Sequence, residues 1–284
     1  MAYGLVLGGG GVVGIAWELG VLDALAAEGA LDPTTARTLV GTSAGSVVGA
    51  QLAAGRTIDD LVAEQLAPPK AAVGGGAAAP DMNAVMQIFG GLMTATEMTT
   101  ELAKTIGKQA CDSPTGSEDR WIASFDTLMG VHDWPDADLR VVAMSTSKGE
   151  RRVWTKADGI DLPRAVASSC SVPGLFPPVT IDGDRFTDGG AWSPSNADIL
   201  AGEGLDAVLF IGPIAGFLAG RPQVEIELEL LEAKGARTGS LVPGEGFAEL
   251  RMKLMDPAFR KEGVEAGRQD GKAAAGRVRD LLKG

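Results

Sequence analysis

Two hydrophobic periodicities alternate at the start of the chain. Residues 3–7 form a short apolar run that ends in consecutive glycines at 8–11, which predicts a buried strand followed by a tight turn. Apolar residues then recur at helical spacing between 15 and 26. A second strand is predicted at 38–40, and a helix rich in small residues at 44–54. The order strand, helix, strand, helix is typical of an α/β fold in which helices cover both faces of a mostly parallel sheet.

The pattern changes between about 68 and 120. Residues 68–80 are low in sequence complexity and predict a loop. Residues 82–106 carry Met, Leu, Ile and Phe at roughly helical intervals, and 111–120 predict an exposed loop. Two interpretations stay open for this region. It forms either an amphipathic helix packed on the core, or a lid or insertion whose methionines and phenylalanine line a channel for an acyl chain.

The rest of the chain returns to a strand-rich pattern that ends in a helical region. No internal repeat or domain boundary interrupts it, so a single domain over 1–284 is expected. The predicted elements are a strand at 139–145, its hairpin partner at 148–153, a short helix at 162–169, a hairpin at 181–186, a buried strand at 207–211 and a helical region from about 247 to 283.

The composition narrows the classes of partner. A net charge of −12 disfavours nucleic acid and anionic membrane surfaces, because both attract clustered positive charge. Contact with a membrane would therefore have to use apolar surface. Two cysteines, Cys111 and Cys170, are too few for a disulfide scaffold or a cysteine-rich zinc site. The N-terminal residues lack the basic region of a signal peptide, and no apolar run approaches the ~18 residues of a membrane span. A soluble, cytoplasmic protein is expected.

The motif Gly-Thr-Ser-Ala-Gly at 41–45 lies between a predicted strand and a predicted helix. A serine hydroxyl is a poor nucleophile, so it must be exposed on a sharp turn beside a base. Flanking glycines, here Gly41 and Gly45, keep side chains from clashing in such a turn, and the following helix directs its N-terminal N–H groups toward developing negative charge. The motif predicts Ser43 as the nucleophile of a serine hydrolase. The alternative is a glycine-rich structural turn with an incidental serine.

The first glycine-rich motif admits two functions. It consists of Gly9, Gly10, Gly11, Val12, Val13 and Gly14. The spacing fits a dinucleotide-binding loop, but that fingerprint expects an acidic residue about 20 positions on, at the end of a second strand. Glu28 is near that distance but lies at the predicted end of the first helix, while the second strand runs into Ser43. Consecutive glycine N–H groups also form a concave donor cluster, and we favour an oxyanion-binding role for Gly9, Gly10 and Gly11.

The base that activates Ser43 has two candidates. His132 is the single histidine and lies in a polar loop, whereas in the α/β-hydrolase order the histidine follows the catalytic acid. A carboxylate can instead act directly on the serine. Asp188 ends an apolar hairpin and precedes Gly189 and Gly190, which makes it the best placed carboxylate, although Asp-Gly-Gly by itself also fits a plain turn.

Together these motifs resemble those of the patatin-like phospholipase family. The residues that carry the resemblance are the glycine motif at 9–14, the serine motif at 41–45, Asp-Gly-Gly at 188–190 and the segment 167–178 (ASSCSVPGLFPP) just upstream of it. Any one of these motifs is unspecific, but four in the right order are highly specific. The resemblance extends over about 1–55 and 139–212.

The resemblance implies a three-layer α/β/α fold and a Ser-Asp dyad without a catalytic histidine. Ser43 would be the nucleophile, Asp188 the general base, and the N–H groups around Gly9, Gly10 and Gly11 the oxyanion hole. Gly14, Gly41, Gly45, Gly189 and Gly190 would support these motifs. The implied activity is hydrolysis of lipid acyl esters, of the phospholipase A or the lipase and esterase type, with no metal or cofactor.

One residue departs from the family pattern. Many members have a basic residue where Val13 stands, so the resemblance supports phosphate headgroups less well than neutral glycerides or small esters. Comparing a phospholipid with a neutral ester of equal chain length tests this expectation. Two alternatives to a dyad hydrolase stay open: an α/β-hydrolase-type esterase that uses His132, and a non-catalytic, lipid-binding relative.

Overall fold

A central mixed sheet organises the computed structural model, which describes residues 1–68 and 82–283. Within these residues the sheet has eight strands. They are β1 (Tyr3–Leu7), β2 (Thr38–Thr42), β3 (Asp138–Ser145), β4 (Arg151–Trp154), β5 (Val179–Ile181), β6 (Asp184–Asp188), β7 (Ala207–Ile211) and β8 (Arg237–Leu241).

Helices connect and cover these strands. In the same part of the chain they are α1 (Gly11–Ala27), α2 (Ala44–Ala53), α3 (Ile58–Leu66), α4 (Met82–Thr94), α5 (Thr100–Asp112), α6 (Glu118–Met129), α7 (Leu162–Ser169), α8 (Gln223–Ala233) and α9 (Arg260–Lys283). Short 3₁₀ turns lie at Pro33–Thr35, Lys156–Asp158, Gly189–Ala191, Ala197–Leu200, Glu245–Met252 and Pro257–Phe259. None of the helices in the described ranges is long and apolar enough to cross a lipid bilayer.

Hydrogen-bonded pairs connect the strands in the series β5-β6-β3-β2-β1-β7-β8, and β4 also pairs with β3. Strands β3, β2, β1, β7 and β8 run parallel to their neighbours in this series. The remaining strands, β4, β5 and β6, pair in antiparallel fashion. The mostly parallel sheet predicted from the first 55 residues is therefore confirmed, with an antiparallel part added at one side.

The strands alternate their apolar side chains between two cores, which makes the fold a three-layer α/β/α sandwich. In β1, Leu5 and Leu7 point into the core that contains residues of α1, α2, α7 and α9. Val6 points to the opposite face, where residues of α8 complete a second cluster. Because successive strand side chains alternate in direction, a strand that is buried on both faces reads as a continuous apolar run. The predicted fold class is confirmed.

Helix α9 packs on α1 through a stripe of glycines. A Cβ atom at Gly267 would lie 2.1 Å from the carbonyl oxygen of Trp17, and one at Gly271 would lie 2.6 Å from that of Val21. The Trp17 Nε1 group also donates a 2.8 Å hydrogen bond to Asp270. These contacts fix α1, whose first residue, Gly11, belongs to the glycine motif.

The region after the undescribed residues differs from its prediction. The loop predicted at 68–80 lies almost wholly outside the described residues. The apolar pattern at 82–106 forms two helices, α4 and α5, because Thr99 caps a new N-terminus by accepting a hydrogen bond from the N–H of Leu102. The loop predicted at 111–120 is shorter than expected and lies between the end of α5 at Asp112 and the start of α6 at Glu118. Ser117 caps α6 by accepting a hydrogen bond from the N–H of Arg120.

The C-terminal helical region begins later than predicted. From about 247 the chain first makes 3₁₀ turns, and the regular helix α9 starts only at Arg260. No hydrophobic pattern in the sequence predicts helix α8 or strand β8. Of these, β8 carries the sequence Arg-Thr-Gly-Ser-Leu and is mostly half-buried at the sheet edge, so it lacks the apolar run of the other parallel strands.

The close contact between α1 and α9 predicts opposite effects of two glycine substitutions in one helix. Gly267→Ala is expected to lower the free energy of unfolding by about 2–3 kcal/mol, because the added methyl collides with backbone of α1. Gly276→Ala, which has no atom within 4 Å of the new Cβ, is expected to raise it by about 0.5–1 kcal/mol through helix propensity. Urea unfolding measures both. Equal stability of the two variants would contradict the close contact.

Candidate active site

Ser43 occupies a strained turn between β2 and α2. Its backbone angles are φ 53° and ψ −118°, a combination that residues other than glycine rarely adopt. Such strain persists only where the surroundings impose it, and it is typical of a serine nucleophile on a strand-to-helix turn. The side chain is 6 % exposed.

Both predicted glycines of the serine motif are needed by close packing. A Cβ at Gly45 would lie 2.1 Å from the carbonyl oxygen of Leu7, and a Cβ at Gly41 would lie 2.5 Å from the Cα of Ser46. The N–H of Gly45 also donates to the carbonyl oxygen of Gly8 at 2.9 Å. The serine turn is therefore pressed directly against the end of β1, where the glycine motif begins.

Three buried side chains hold the backbone of Ser43. Its N–H donates to the Ser169 hydroxyl at 2.9 Å, and that hydroxyl donates to the carbonyl oxygen of Val142 at 2.6 Å. Its carbonyl oxygen accepts hydrogen bonds from the Ser46 hydroxyl at 2.7 Å and the Cys170 thiol at 3.2 Å. Since buried backbone groups need partners, these contacts satisfy the strained turn and keep it in one conformation.

The pairing of β3 places Asp188 beside Ser43. Strand β4 pairs with Val141–Met144 along one edge of β3. Strands β2 and β6 must therefore share the opposite edge, where Thr42 stands opposite Val142 and Asp188 stands opposite Ala143. The two strands meet end to end at consecutive residues of β3. As a result, the residue after Thr42 and the last residue of β6 lie next to each other.

Asp188 is a buried carboxyl with an unusual pKa. Burial raises its pKa to about 7, although hydrogen bonding from the Ser43 hydroxyl and from the N–H of Gly190 acts in the opposite direction. The Gly190 N–H donates to Oδ1 at 2.7 Å. Gly189 passes close to β3, because a Cβ there would lie 2.4 Å from the carbonyl oxygen of Val142. The Asp-Gly-Gly sequence thus forms a tight turn that also carries a buried carboxyl of raised pKa.

The glycine motif runs beside Ser43, the predicted nucleophile. A Cβ at Gly9 would lie 3.7 Å from the Cβ of Ser43. The N–H of Gly9 is already engaged, because it donates to the carbonyl oxygen of Pro194 at 2.9 Å, and the N–H of Val13 donates to that of Leu254 at 2.9 Å. Within residues 1–68 and 82–283, the N–H groups of Gly10 and Gly11 have no acceptor.

Two helix N-termini converge at this point, since α1 begins at Gly11 and α2 begins at Ala44. Unpaired N–H groups and the positive end of the helix dipole both favour a negative charge there. Gly14 supports the turn, as its N–H donates to the carbonyl oxygen of Gly10 at 2.9 Å. The arrangement suits an oxyanion that develops next to Ser43.

The alternative roles considered for the glycine motif and the histidine find less support. Glu28 lies at the far end of α1, and β2 ends in Thr42 rather than an acidic residue, so the dinucleotide fingerprint is incomplete. The His132 side chain is 66 % exposed and pairs with Asp126 at 3.1 Å. It has no contact with Ser43 among its hydrogen bonds in the described residues.

Val13 is fully buried rather than directed at the site. Its side chain packs where α9 approaches α1, with its Cγ1 atom 3.1 Å from a Cβ placed on Gly263. The departure from the family pattern is therefore accommodated by the packing of the C-terminal helix. Among the described residues, no group of three or more His, Cys, Asp or Glu side chains is arranged to hold a metal ion.

An apolar cluster includes residues next to Asp188 in the sequence and in the sheet. It joins α4 and α5 to Met144 of β3 and to Ala191, three residues after Asp188. Half-buried aromatic side chains border it, and among them Phe89 and Phe217 contact each other edge to face at 5.4 Å. Helix α4 therefore covers the aspartate side of the site with apolar surface.

Comparison with known proteins identifies the family. The model of the family described as patatin-like phospholipase matches residues 5–201, and the chain belongs to this family. No curated protein matches it.

Two solved structures are similar to this chain at low identity. VipD from Legionella pneumophila is 16 % identical, with a TM-score of 0.46 over 96 % of this chain and 67 % of VipD. The type III effector protein ExoU is 13 % identical, with a TM-score of 0.41 over 98 % of this chain, which spans 53 % of the ExoU chain.

The sequence motifs predict Ser43 and Asp188 as the candidate catalytic pair, but not the residues that hold them. Ser169 and Cys170 lie in the segment 167–178, which assigns no role to either, and Pro194 and Asn196 belong to no predicted motif. A usable signal is the Ser-Pro-Ser-Asn run at 193–196, which begins three residues after the Asp-Gly-Gly motif. Turn-forming residues of this kind are usually exposed, and only the structure shows that this run is buried.

The raised pKa of Asp188 predicts how activity and stability depend on pH. If Asp188 is the base, kcat/KM for a soluble ester should rise about tenfold per pH unit below about pH 7 and level off above it. Stability should move the other way. The folded pKa lies above the ordinary value of 3.8, so this stabilisation is complete below about pH 4 and is lost as the pH rises through 7.

The matched control is Asp188→Asn, which cannot ionise. Its stability relative to the unsubstituted protein should increase between pH 4 and pH 8 in urea unfolding. The comparison must be a difference, because burial also raises the pKa of Glu18 and of Glu227. An activity profile with its midpoint near pH 4 would contradict the buried-base assignment.

Proposed function

We propose that this chain hydrolyses carboxylic esters of lipids through a dyad of Ser43 and Asp188. Membership of the patatin-like phospholipase family supports lipid hydrolase activity in general. The observation that carries the specific proposal is the end-to-end meeting of β2 and β6 on β3, which sets a strained serine beside a buried carboxyl. That carboxyl has a pKa of about 7, which suits a general base at neutral pH.

The reaction begins when the Asp188 carboxylate takes the proton of the Ser43 hydroxyl as the serine oxygen attacks the ester carbonyl. The resulting oxyanion is stabilised by N–H groups of the glycine motif, at ~3 kcal/mol for a typical donor. Gly10 and Gly11 are the best candidates, because the N–H of Gly9 would first have to leave Pro194. The alcohol departs with the proton, and water then repeats the sequence on the acyl-enzyme.

The apolar cluster at α4 supports an acyl chain as the recognised group. Phe89, Trp192 and Phe217 are partly buried around the cluster that reaches Ala191. A chain bound along these side chains would carry its ester toward Asp188, and apolar contact of this kind is worth about 25 cal/mol per Å² buried. This arrangement favours the acyl-channel interpretation of the 82–106 region over a purely structural helix.

The dyad predicts which substitutions abolish activity. Ser43→Ala and Asp188→Asn are each expected to reduce ester hydrolysis by at least about 10³-fold. The two residues act as a unit, so removing either one removes most of the contribution of both to catalysis. His132→Ala should retain normal kcat and KM, because this side chain is exposed and pairs with Asp126 rather than with Ser43 or Asp188. Hydrolysis of a p-nitrophenyl ester, with circular dichroism to confirm folding, measures all three.

A folded His132→Ala variant without activity would instead support the histidine-dependent esterase. Labelling of Ser43 by a fluorophosphonate separates an enzyme from a non-catalytic lipid-binding relative. Absence of labelling in the unsubstituted protein would overturn the hydrolase proposal as a whole.

The acyl-chain proposal predicts an effect that depends on chain length. Phe89→Ala should raise KM for a dodecanoate ester about fivefold, because the chain loses apolar contact, and leave KM for a butyrate ester unchanged. Met93→Ala is the matched control in the same helix, since that side chain is 66 % exposed. Equal effects of Phe89→Ala on both esters would show that Phe89 supports the fold rather than the chain.

A further inference from the structure

Asn196 lies at the point where the three catalytic segments meet. The residue is fully buried, and its backbone adopts a left-handed conformation with φ 54° and ψ 30°. Its Nδ2 group donates to the carbonyl oxygen of Ser193 at 2.7 Å, to the Thr42 hydroxyl at 3.0 Å and to the carbonyl oxygen of Gly189 at 3.4 Å. Thr42 immediately precedes the nucleophile, and Gly189 immediately follows the base.

The orientation of this carboxamide follows from its neighbours. Two of the three atoms around Nδ2 are carbonyl oxygens, which can only accept, so the amino group must face them. The Oδ1 atom accepts from Nη1 of Arg151 at 3.3 Å. Arg151 in turn forms an ion pair with Asp198, in which the Nη2 group of Arg151 donates to Asp198 Oδ2 at 2.9 Å.

The same loop also reaches the glycine motif. The carbonyl oxygen of Pro194 accepts from the N–H of Gly9 at 2.9 Å. On its outer side the loop is anchored to α8, because Glu227 accepts from the N–H of Ala197 at 2.8 Å and from the Ser195 hydroxyl. Residues 193–197 therefore connect the nucleophile strand, the aspartate turn and the glycine motif to the second helical layer.

We infer that Asn196 is a positioning residue whose carboxamide fixes the distance between the end of β2, which carries Ser43, and the turn that follows Asp188. The inference rests on the proposed function, because it assigns Asn196 a role in the Ser43–Asp188 reaction. β2 and β6 share the edge of β3 but have no ladder with each other, so β3 alone does not lock their ends together. The Asn196 side chain supplies the direct link, from Thr42 to Gly189.

Two substitutions at position 196 keep the left-handed backbone while removing the link. Asn196→Gly deletes the carboxamide, and Asn196→Asp replaces the donor by an oxygen that faces two carbonyl oxygens. Each is expected to lower kcat about 10- to 100-fold with KM within twofold of normal, because small misplacement of reacting groups slows the chemical step. The value of kcat is taken per active site, titrated with a fluorophosphonate.

Thr42→Val provides a second variant that changes shape little. It removes the hydroxyl that accepts from Asn196, so it should also lower kcat per titrated site. Combined with Asn196→Gly it should add less than its own effect, because both substitutions break one link. Thr42→Val alone keeps the test decisive if Asn196→Gly fails to fold.

The control for a general loss of stability is Val278→Ala on the outer helix α9, where the side chain is 2 % exposed. It should lower the melting temperature and leave kcat per titrated site unchanged. Asn196 variants with normal kcat per titrated site, or with a raised KM alone, would overturn the inference. Failure of the unsubstituted protein to be labelled would overturn the proposed function instead, so the two outcomes are distinguishable.

Discussion

One edge of β3 positions the two proposed catalytic residues, Ser43 and Asp188. Two strands that approach from opposite directions share that edge, and they end against the neighbouring residues Val142 and Ala143. A serine on the turn after one strand and an aspartate at the end of the other are therefore brought together by backbone pairing. Residues of the surrounding loops, Asn196 among them, then hold the two strand ends in place. Pairing on β3 thus brings together the two proposed catalytic residues, which are 145 positions apart in the sequence.

Burial of Asp188 has two consequences, a raised pKa of its carboxyl and a need for hydrogen-bond partners around it. An aspartate of ordinary pKa would be a weak base, and removal from water raises its proton affinity into the neutral range. The same removal from water leaves many polar groups in need of partners. Ser169, Cys170 and Asn196 meet that need around the proposed dyad of Ser43 and Asp188. Its polar surroundings therefore hold it in place as well as shielding it from solvent.

The sequence predicts the central strands and the candidate catalytic residues from local patterns, but it does not predict the contacts around them. Buried parallel strands such as β1 and β7 are continuous apolar runs, and motifs such as the one around Ser43 have fixed local geometry, so both can be recognised locally. Strand β8 was missed because its edge position leaves it half-buried and mixed in composition. The break between α4 and α5 depended on one capping threonine, Thr99, within a longer apolar pattern.

Groups held by distant partners could not be predicted at all. The engagement of the Gly9 N–H by Pro194 joins residues that are 185 positions apart, and no local pattern encodes it. The same applies to Asn196, whose residue type suggests an exposed turn. Its role depends on which three oxygens surround it, and tertiary structure alone brings those together.

The seam between α1 and α9 gives the site a particular order of assembly. The hydrogen bond from Trp17 to Asp270 joins residues that are 253 positions apart. The N–H of Val13 donates to the carbonyl oxygen of Leu254. Both partners lie beyond residue 201, where the match to the family model ends. A chain emerging from the ribosome would expose Ser43 and Asp188 well before the helix behind the glycine motif has its support. The glycine motif and the helix behind it therefore gain these contacts only when the last part of the chain has been synthesised.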